Sequence, residues 1–198
     1  MLHAFVKYSR RRQCKRMRQY HLCKQHYTIQ LFHSTAAVRR RDHQLMRPTK
    51  LQNYMEIAET VAKRSHDAET QVGALLVNNK SGAIIATGYN GFIKGAVDSV
   101  LPNTRPDKYE YILHAEMNLL TNCARHGISM DDCFLVCTLS PCKLCMRLMI
   151  NSGVERVICK ELYRDWHEII GMKDVAVGMS KTAEGFHEIH YTAATPKR

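Results

Sequence analysis

Two short stretches of this chain could do chemistry together. "YILHAEMNLL" sets His114 and Glu116 two residues apart in an apolar segment, and "TLSPCKLCMRLM" sets Cys142 and Cys145 three apart, directly after Pro141. An imidazole or a carboxylate among apolar neighbours is costly unless something partners it. Proline tolerates the first turn of a helix, so a helix is expected to open at Pro141. The spacing of three then aims both thiols at one point, and a helix N-terminus favours their thiolate form. His114 also begins a predicted helix. Two thiolates and one imidazole make a good zinc set, and three protein ligands leave a position open for water, the mark of a catalytic ion. Zinc lowers the pKa of bound water toward neutrality. Glu116, beside the metal without being forced into its shell, is placed to take up and hand on protons.

Other readings of the same residues are narrower. A lone Cys-x-x-Cys fits a redox pair or half of a structural zinc site. No thioredoxin-like pattern accompanies it here, and a structural site would need Cys137 or Cys133 as fourth ligand. Taken together, His-x-Glu and Pro-Cys-x-x-Cys form the signature of zinc deaminases, in which the glutamate is the general acid/base rather than a ligand. Cys123, Cys133, Cys137 and Cys159 read as small apolar core residues. His43, His66, His126, His167, His187 and His190 read as surface or loop residues.

The elements that must position these groups can be traced along the chain. Leu51, Tyr54, Met55, Ala58, Val61 and Ala62 recur at helical spacing. "QVGALLVNN" and "AIIATGYN" read as strands joined by a tight turn at Lys80-Ser81-Gly82. Residues 91–109 read as a loop, and Leu113 to Arg125 as a helix. "CFLVCTL" and "ERVICK" are strands on either side of the Pro141 helix. A weaker helix is expected near 172–183, followed by a last strand, "HEIHYT". This alternation predicts an α/β class: three α/β/α layers around a mixed sheet of about five strands.

Composition narrows the function further. The 198 residues suffice for one domain with a real core, and 45% hydrophobic against 24% charged content suits a globular protein. No apolar run approaches the roughly 20 residues that span a bilayer, so no membrane role is expected. The net charge of +11 points to nucleic acid only until it is located. Of 29 Lys and Arg and 18 Asp and Glu, residues 1–41 hold 11 and none, leaving 18 of each in 42–198. The basicity belongs to a leader, whereas a nucleic-acid footprint normally sits on the folded domain. Nucleic acid is therefore a disfavoured partner.

The domains are read as a basic leader, 1–45, disordered or cleaved, and a catalytic domain, 46–198. The leader fits a mitochondrial-type presequence, being Arg-rich and acid-free. It fits equally an early start codon with Met46 the true beginning, and less well a basic arm. Localisation is accordingly expected to be cytoplasmic, or mitochondrial if the leader is a presequence. Six of the eight cysteines crowd between Cys123 and Cys159, which suits ligands and core residues in a reducing compartment.

From about Leu51 to Asp165 the chain resembles the deoxycytidylate (dCMP) deaminase family of the cytidine deaminase-like superfamily. The likeness rests on "AKRSHDAETQVGALLV", "TGYNG", "VLPNTRPDKYEYILHAEMN", "TLSPCKLC" and "ELYRD". The long interval from Asn90 to His114 matches nucleotide-specific members. The resemblance implies a zinc-dependent hydrolase that makes dUMP for thymidylate synthesis. It implies one catalytic zinc on His114, Cys142 and Cys145, with Glu116 as proton shuttle. Ala115 would offer its N–H to the pyrimidine carbonyl, and Asn90 would bond near the sugar. Gly88 and Gly91 would let the backbone approach. Tyr163 would cover the base, or else is a partly buried tyrosine at a strand end.

For the 5′-phosphate of a deoxynucleotide the cations on offer are Lys94, Arg105, Lys108 and Arg125. Family members are oligomers with a neighbour's arginine near the phosphate, which favours Arg125; that residue also suits a helix C-terminus. The resemblance further implies a homo-oligomer, activated by dCTP and inhibited by dTTP, with Gly88, Tyr89, Asn90 and Gly91 as the effector region. No spare Cys/His set suggests a second, structural zinc. The alternatives are a deaminase of another free nucleoside or base, or a nucleic-acid-editing enzyme gripping through the leader.

Overall fold

The computed structural model describes residues 47–173 and 175–193. The expected leader, with Cys14, Cys23 and His43, lies outside the described residues. Helix α1 (Lys50–Ala62) starts at a capping box. The Gln52 N–H donates to Thr49 Oγ1 at 3.1 Å, and the Thr49 N–H donates to Gln52 Oε1 at 2.8 Å. Strands β1 (Gly73–Asn78) and β2 (Ile84–Tyr89) form an antiparallel hairpin. Helix α2 (Ala115–His126) follows and stops at Gly127, whose φ of 64° lets the chain turn left-handed. Then come β3 (Cys133–Leu139), α3 (Lys143–Asn151), β4 (Val154–Glu161), the one-turn α4 (His167–Ile170), β5 (Val175–Lys181) and β6 (His187–Ala193).

The six strands lie in the order β2-β1-β3-β4-β6-β5. β3 and β4 run parallel, joined through α3, and the other neighbours are antiparallel. Strand periodicity sorts the core onto two faces. Leu75, Val77, Phe134, Val136 and Ile158 point toward α1, where they meet Tyr54, Met55 and Ala58. Ala74, Leu76, Leu135, Cys137, Val157 and Cys159 point the other way, against Ala115, Leu119 and Cys123 of α2 and Met146 and Met149 of α3. The expected three layers are present.

Two glycines set how closely the layers approach. A Cβ on Gly73 would collide with the Ala58 carbonyl and the Ala62 nitrogen of α1. A Cβ on Gly88 would collide with the Ala115 carbonyl and the Leu119 backbone of α2. Cys123, Cys133, Cys137 and Cys159 are at most 1% exposed, as expected of apolar packing.

One expected element is wrong. The stretch near 172–183 forms β5, not a helix, so the sheet has six strands rather than about five. The physical reason is period two: Val175, Val177 and Met179 are half-buried while Ala176, Gly178 and Ser180 are exposed. The strand pairs along its whole length with β6 through a hairpin. The loop after β2 contains two short 3-10 turns, Asp98–Val100 and Asp107–Glu110. Its ends are tied together: Gly91 donates to Leu113 at 3.0 Å and Leu113 donates back at 2.8 Å. Among the described residues, no helix is long and apolar enough to cross a membrane.

Candidate active site

The N-termini of α2 and α3 meet at one place. His114 is the N-cap of α2 and Cys142 the N-cap of α3, both in extended conformation, with Cys145 one turn further along. His114 Nδ1 lies 3.5 Å from Cys142 Sγ and 3.4 Å from Cys145 Sγ. These separations test the donor set for zinc. Bonds of about 2.3 Å to sulfur and 2.05 Å to nitrogen at tetrahedral angles put the two donors about 3.6 Å apart. All three ligand atoms fall within 4.8 Å of one another, so the cluster fits one zinc ion.

Glu116 stands beside the cluster on the first turn of α2, 3% exposed. Burial drives its carboxyl up to about 7, partly opposed by its own backbone N–H and by His114. The thiols divide the remaining proton. Cys142 falls to about 4, first through the hydrogen bond from Cys145 and then, against burial, through His114. Cys145 is pushed up by that same bond and by burial. His114 is raised chiefly by its bond to Cys142. The three side chains share their protons through these contacts, and a divalent cation would take the protons' place.

A cleft opens over these residues. Its floor includes His114, Ala115, Glu116 and Cys142, and its walls include Asn90, Ile112, Leu139 and Tyr163. Ala115 is the first helical residue of α2, so its N–H has no partner within the helix. Tyr163 is half-buried and held by its backbone N–H, which donates to Ser140 Oγ at 2.8 Å. Asn90 is buried: its amide donates to Asp67 Oδ2 (3.2 Å) and the Thr70 carbonyl (2.8 Å), and its Oδ1 accepts from the Val72 N–H (2.8 Å). Both amide hydrogens are engaged, and one lone pair of Oδ1 is left.

The other expected residues are placed differently. Of Gly88, Tyr89, Asn90 and Gly91, Asn90 lines the cleft. The close approach at Gly88 is to α2, and the Tyr89 carbonyl accepts from Asn118 Nδ2 at 2.7 Å. Lys94 is exposed and lines no part of the cleft. Arg125 is exposed on the last turn of α2, at the opposite end from His114. His66, His126, His167 and His190 are exposed, as expected, and His187 is half-buried on β6.

Sequence reasoning missed Asp67, Thr70 and Tyr109, which join Arg105 and Lys108 along one wall. Lys108 is 3% exposed and lies 2.7 and 2.8 Å from the Asp67 oxygens and 3.1 Å from Glu69 Oε2. The signal available in the sequence was Asp67 itself, an acid in the short segment that leads into β1. Its partner lies 41 residues away, beyond any local pattern.

The comparisons with known proteins agree with this geometry. The family described as the cytidine and deoxycytidylate deaminase zinc-binding region matches residues 48–161. Human deoxycytidylate deaminase is 34% identical over 142 residues, covering 68% of this chain and 76% of that protein. The probable deoxycytidylate deaminase of Caenorhabditis elegans is 38% identical over 112 residues, 54% of this chain and 55% of the relative. The dCMP deaminase of cyanophage S-TIM5, solved with dCMP and dUMP, superposes with a TM-score of 0.52 at 32% identity, covering 64% of this chain and 93% of that one. The matched stretch contains the His/Cys/Cys cluster, Glu116 and the whole lining of the cleft but Tyr163. Likeness and geometry fall on the same residues: this chain belongs to the cytidine and deoxycytidylate deaminase family.

Proposed function

We propose that the chain converts dCMP and water to dUMP and ammonia, using one zinc ion. The observation that carries this reading is the zinc-sized triangle of His114, Cys142 and Cys145 beside the buried Glu116 in an open cleft. The substrate assignment is supported by the human relative and by the cyanophage enzyme solved with dCMP and dUMP.

When bound, the ion supplies a water acidified toward neutral pH. The chain's own residues do the rest. Glu116 takes one proton from water and gives it to the ring nitrogen, then takes the second from the new C4 hydroxyl and gives it to the departing amine as the C4–N bond is replaced by C4–O. The Ala115 N–H binds the pyrimidine carbonyl, Asn90 Oδ1 accepts from the sugar, and Tyr163 covers the base. Arg125 could meet a phosphate only when supplied by a second copy. That agrees with a homo-oligomer, regulated by dCTP and dTTP through the Gly88–Gly91 region. The basic residues ahead of Met46 take no part in catalysis: they are a mitochondrial-type presequence or follow from an early start codon, the protein being cytoplasmic in the second case.

The test is ultraviolet assay of dCMP, CMP, deoxycytidine and a short single-stranded oligonucleotide, with and without dCTP. dCMP is expected to be turned over preferentially, equally well by a chain starting at Met46. Absence of turnover on dCMP overturns the reading. Salt-sensitive oligonucleotide binding that is lost with residues 1–41 would favour nucleic-acid editing instead.

A further inference from the structure

We infer that Arg105 of the same chain grips the 5′-phosphate and so selects a nucleotide over a nucleoside. The inference rests on the cleft being a pyrimidine-nucleotide site. A base lying at Glu116 carries its phosphate on the far side of the sugar, so a cationic group is needed on another wall of the same cleft. The cleft's walls hold two cations, Arg105 and Lys108.

Lys108 has no capacity to give. An ammonium has three donors, and three carboxylate oxygens already surround it: Asp67 Oδ1 and Oδ2 and Glu69 Oε2, at 2.7, 2.8 and 3.1 Å. Arg105 is the opposite case. Its side chain is 43% exposed, and it is fixed by neutral hydroxyls: Nε donates to Tyr109 Oη at 2.8 Å and Nη2 to Thr70 Oγ1 at 2.9 Å. Its backbone N–H donates to Glu69 Oε2 at 2.8 Å, which pins the residue itself. Nη1 also forms an ion pair with Glu69 Oε1, but at 3.6 Å it spends no N–H donor there, so the donors of that nitrogen stay free for a ligand. Two of its five N–H groups are engaged, and three remain.

A guanidinium held in one plane with spare donors is the geometry for bidentate recognition of phosphate. Arg125 of the same chain does not compete. Eleven residues of helix separate it from His114, a distance of about 16 Å along α2.

Steady-state kinetics on dCMP and deoxycytidine with Arg105→Ala, Arg105→Lys and Arg125→Ala test the inference. Arg105→Ala is expected to raise KM for dCMP about 10- to 100-fold with kcat near wild type, the size of a lost charged hydrogen bond. The ratio of kcat/KM for dCMP to that for deoxycytidine should collapse with it. Arg105→Lys should fall between, because a point charge cannot bond two oxygens in plane. Zinc content and circular dichroism report folding. If Arg105→Ala fails them, Thr70→Val and Tyr109→Phe unpin the guanidinium, and the same ratio should drop by a smaller factor. Arg105 variants that keep the full preference for dCMP, or its loss in Arg125→Ala alone, overturn the inference. A wild-type enzyme inactive on dCMP overturns the underlying reading instead.

Discussion

Lys108 and Asp67 form a buried ion pair, 3% and 4% exposed, with the ammonium bridging both carboxylate oxygens. The pair joins the loop after β2 to the segment before β1. Removing one member leaves the other charged in a dry place. Lys108→Met is therefore expected to cost about 3–5 kcal/mol in urea unfolding. Lys108→Met combined with Asp67→Asn should recover part of that loss; additive costs would refute the pairing as its source.

Acid should weaken the same region. Burial pushes the Asp67 carboxyl up, but the Lys108 bond and the N–H groups of Glu69 and Thr70 outweigh it and hold it below its ordinary 3.8. The Lys108 bond, against desolvation, likewise holds Glu69 below 4.5. A lowered carboxyl pKa means that the unfolded chain binds more protons than the native one. The stability is thus complete above about pH 5 and is lost as pH falls through the lowered native values. Urea midpoints measured downward from pH 6 should show this loss, and Asp67→Asn should flatten it. An equally steep acid limb in that variant would contradict the assignment.

Glu116→Ala should reduce turnover of dCMP by about two to four orders of magnitude, the range of a lost general acid/base. Zinc per chain should stay near wild type, because the cluster that fits the ion is His114, Cys142 and Cys145, without Glu116. Loss of zinc in that variant would make Glu116 a ligand.

Chelation of the metal should lower the melting temperature as well as the activity, since an ion that binds only the native fold stabilises it by mass action. Cys145→Ala should reproduce both effects and resist rescue by added zinc. An unchanged melting temperature after complete removal would show that α2 and α3 need no ion to hold their N-termini together.

Gly88→Ala puts a methyl group into the Ala115 carbonyl and the Leu119 backbone. Overpacking against backbone is expected to cost about 1–3 kcal/mol. Because the displaced helix begins at His114, activity should fall further than Gly127→Ala makes it fall at the other end of α2. Equal activity losses in the two variants would contradict this placement.

The legible parts were those written in local spacing. His114 with Glu116, and Cys142 with Cys145, each sit on one helical turn, and the proline ahead of the thiols marked where that turn begins. Strands β1 to β4 are short apolar runs that point to themselves. What could not be read was pairing across distance. Val175–Lys181 does alternate with period two, but too weakly to read as a strand until β6 half-buries Val175, Val177 and Met179. Lys108 and Arg105 look alike in sequence as free cations near a site. Only the fold shows that carboxylates enclose the first while hydroxyls hold the second. Asn90 is similar: its side chain is committed largely to the Asp67–Val72 segment, which no neighbour in sequence foretells.

The two backbone bonds between Gly91 and Leu113 have a wider consequence. They pinch the ends of the long loop together one residue ahead of His114. Away from buried Lys108, the residues between can lengthen or shorten at small entropic cost, and the tug of such changes stops at the pinch. If Arg105 grips the phosphate as we propose, substrate selection is a replaceable cassette, mounted on a frame that need not be rebuilt when the cassette is exchanged.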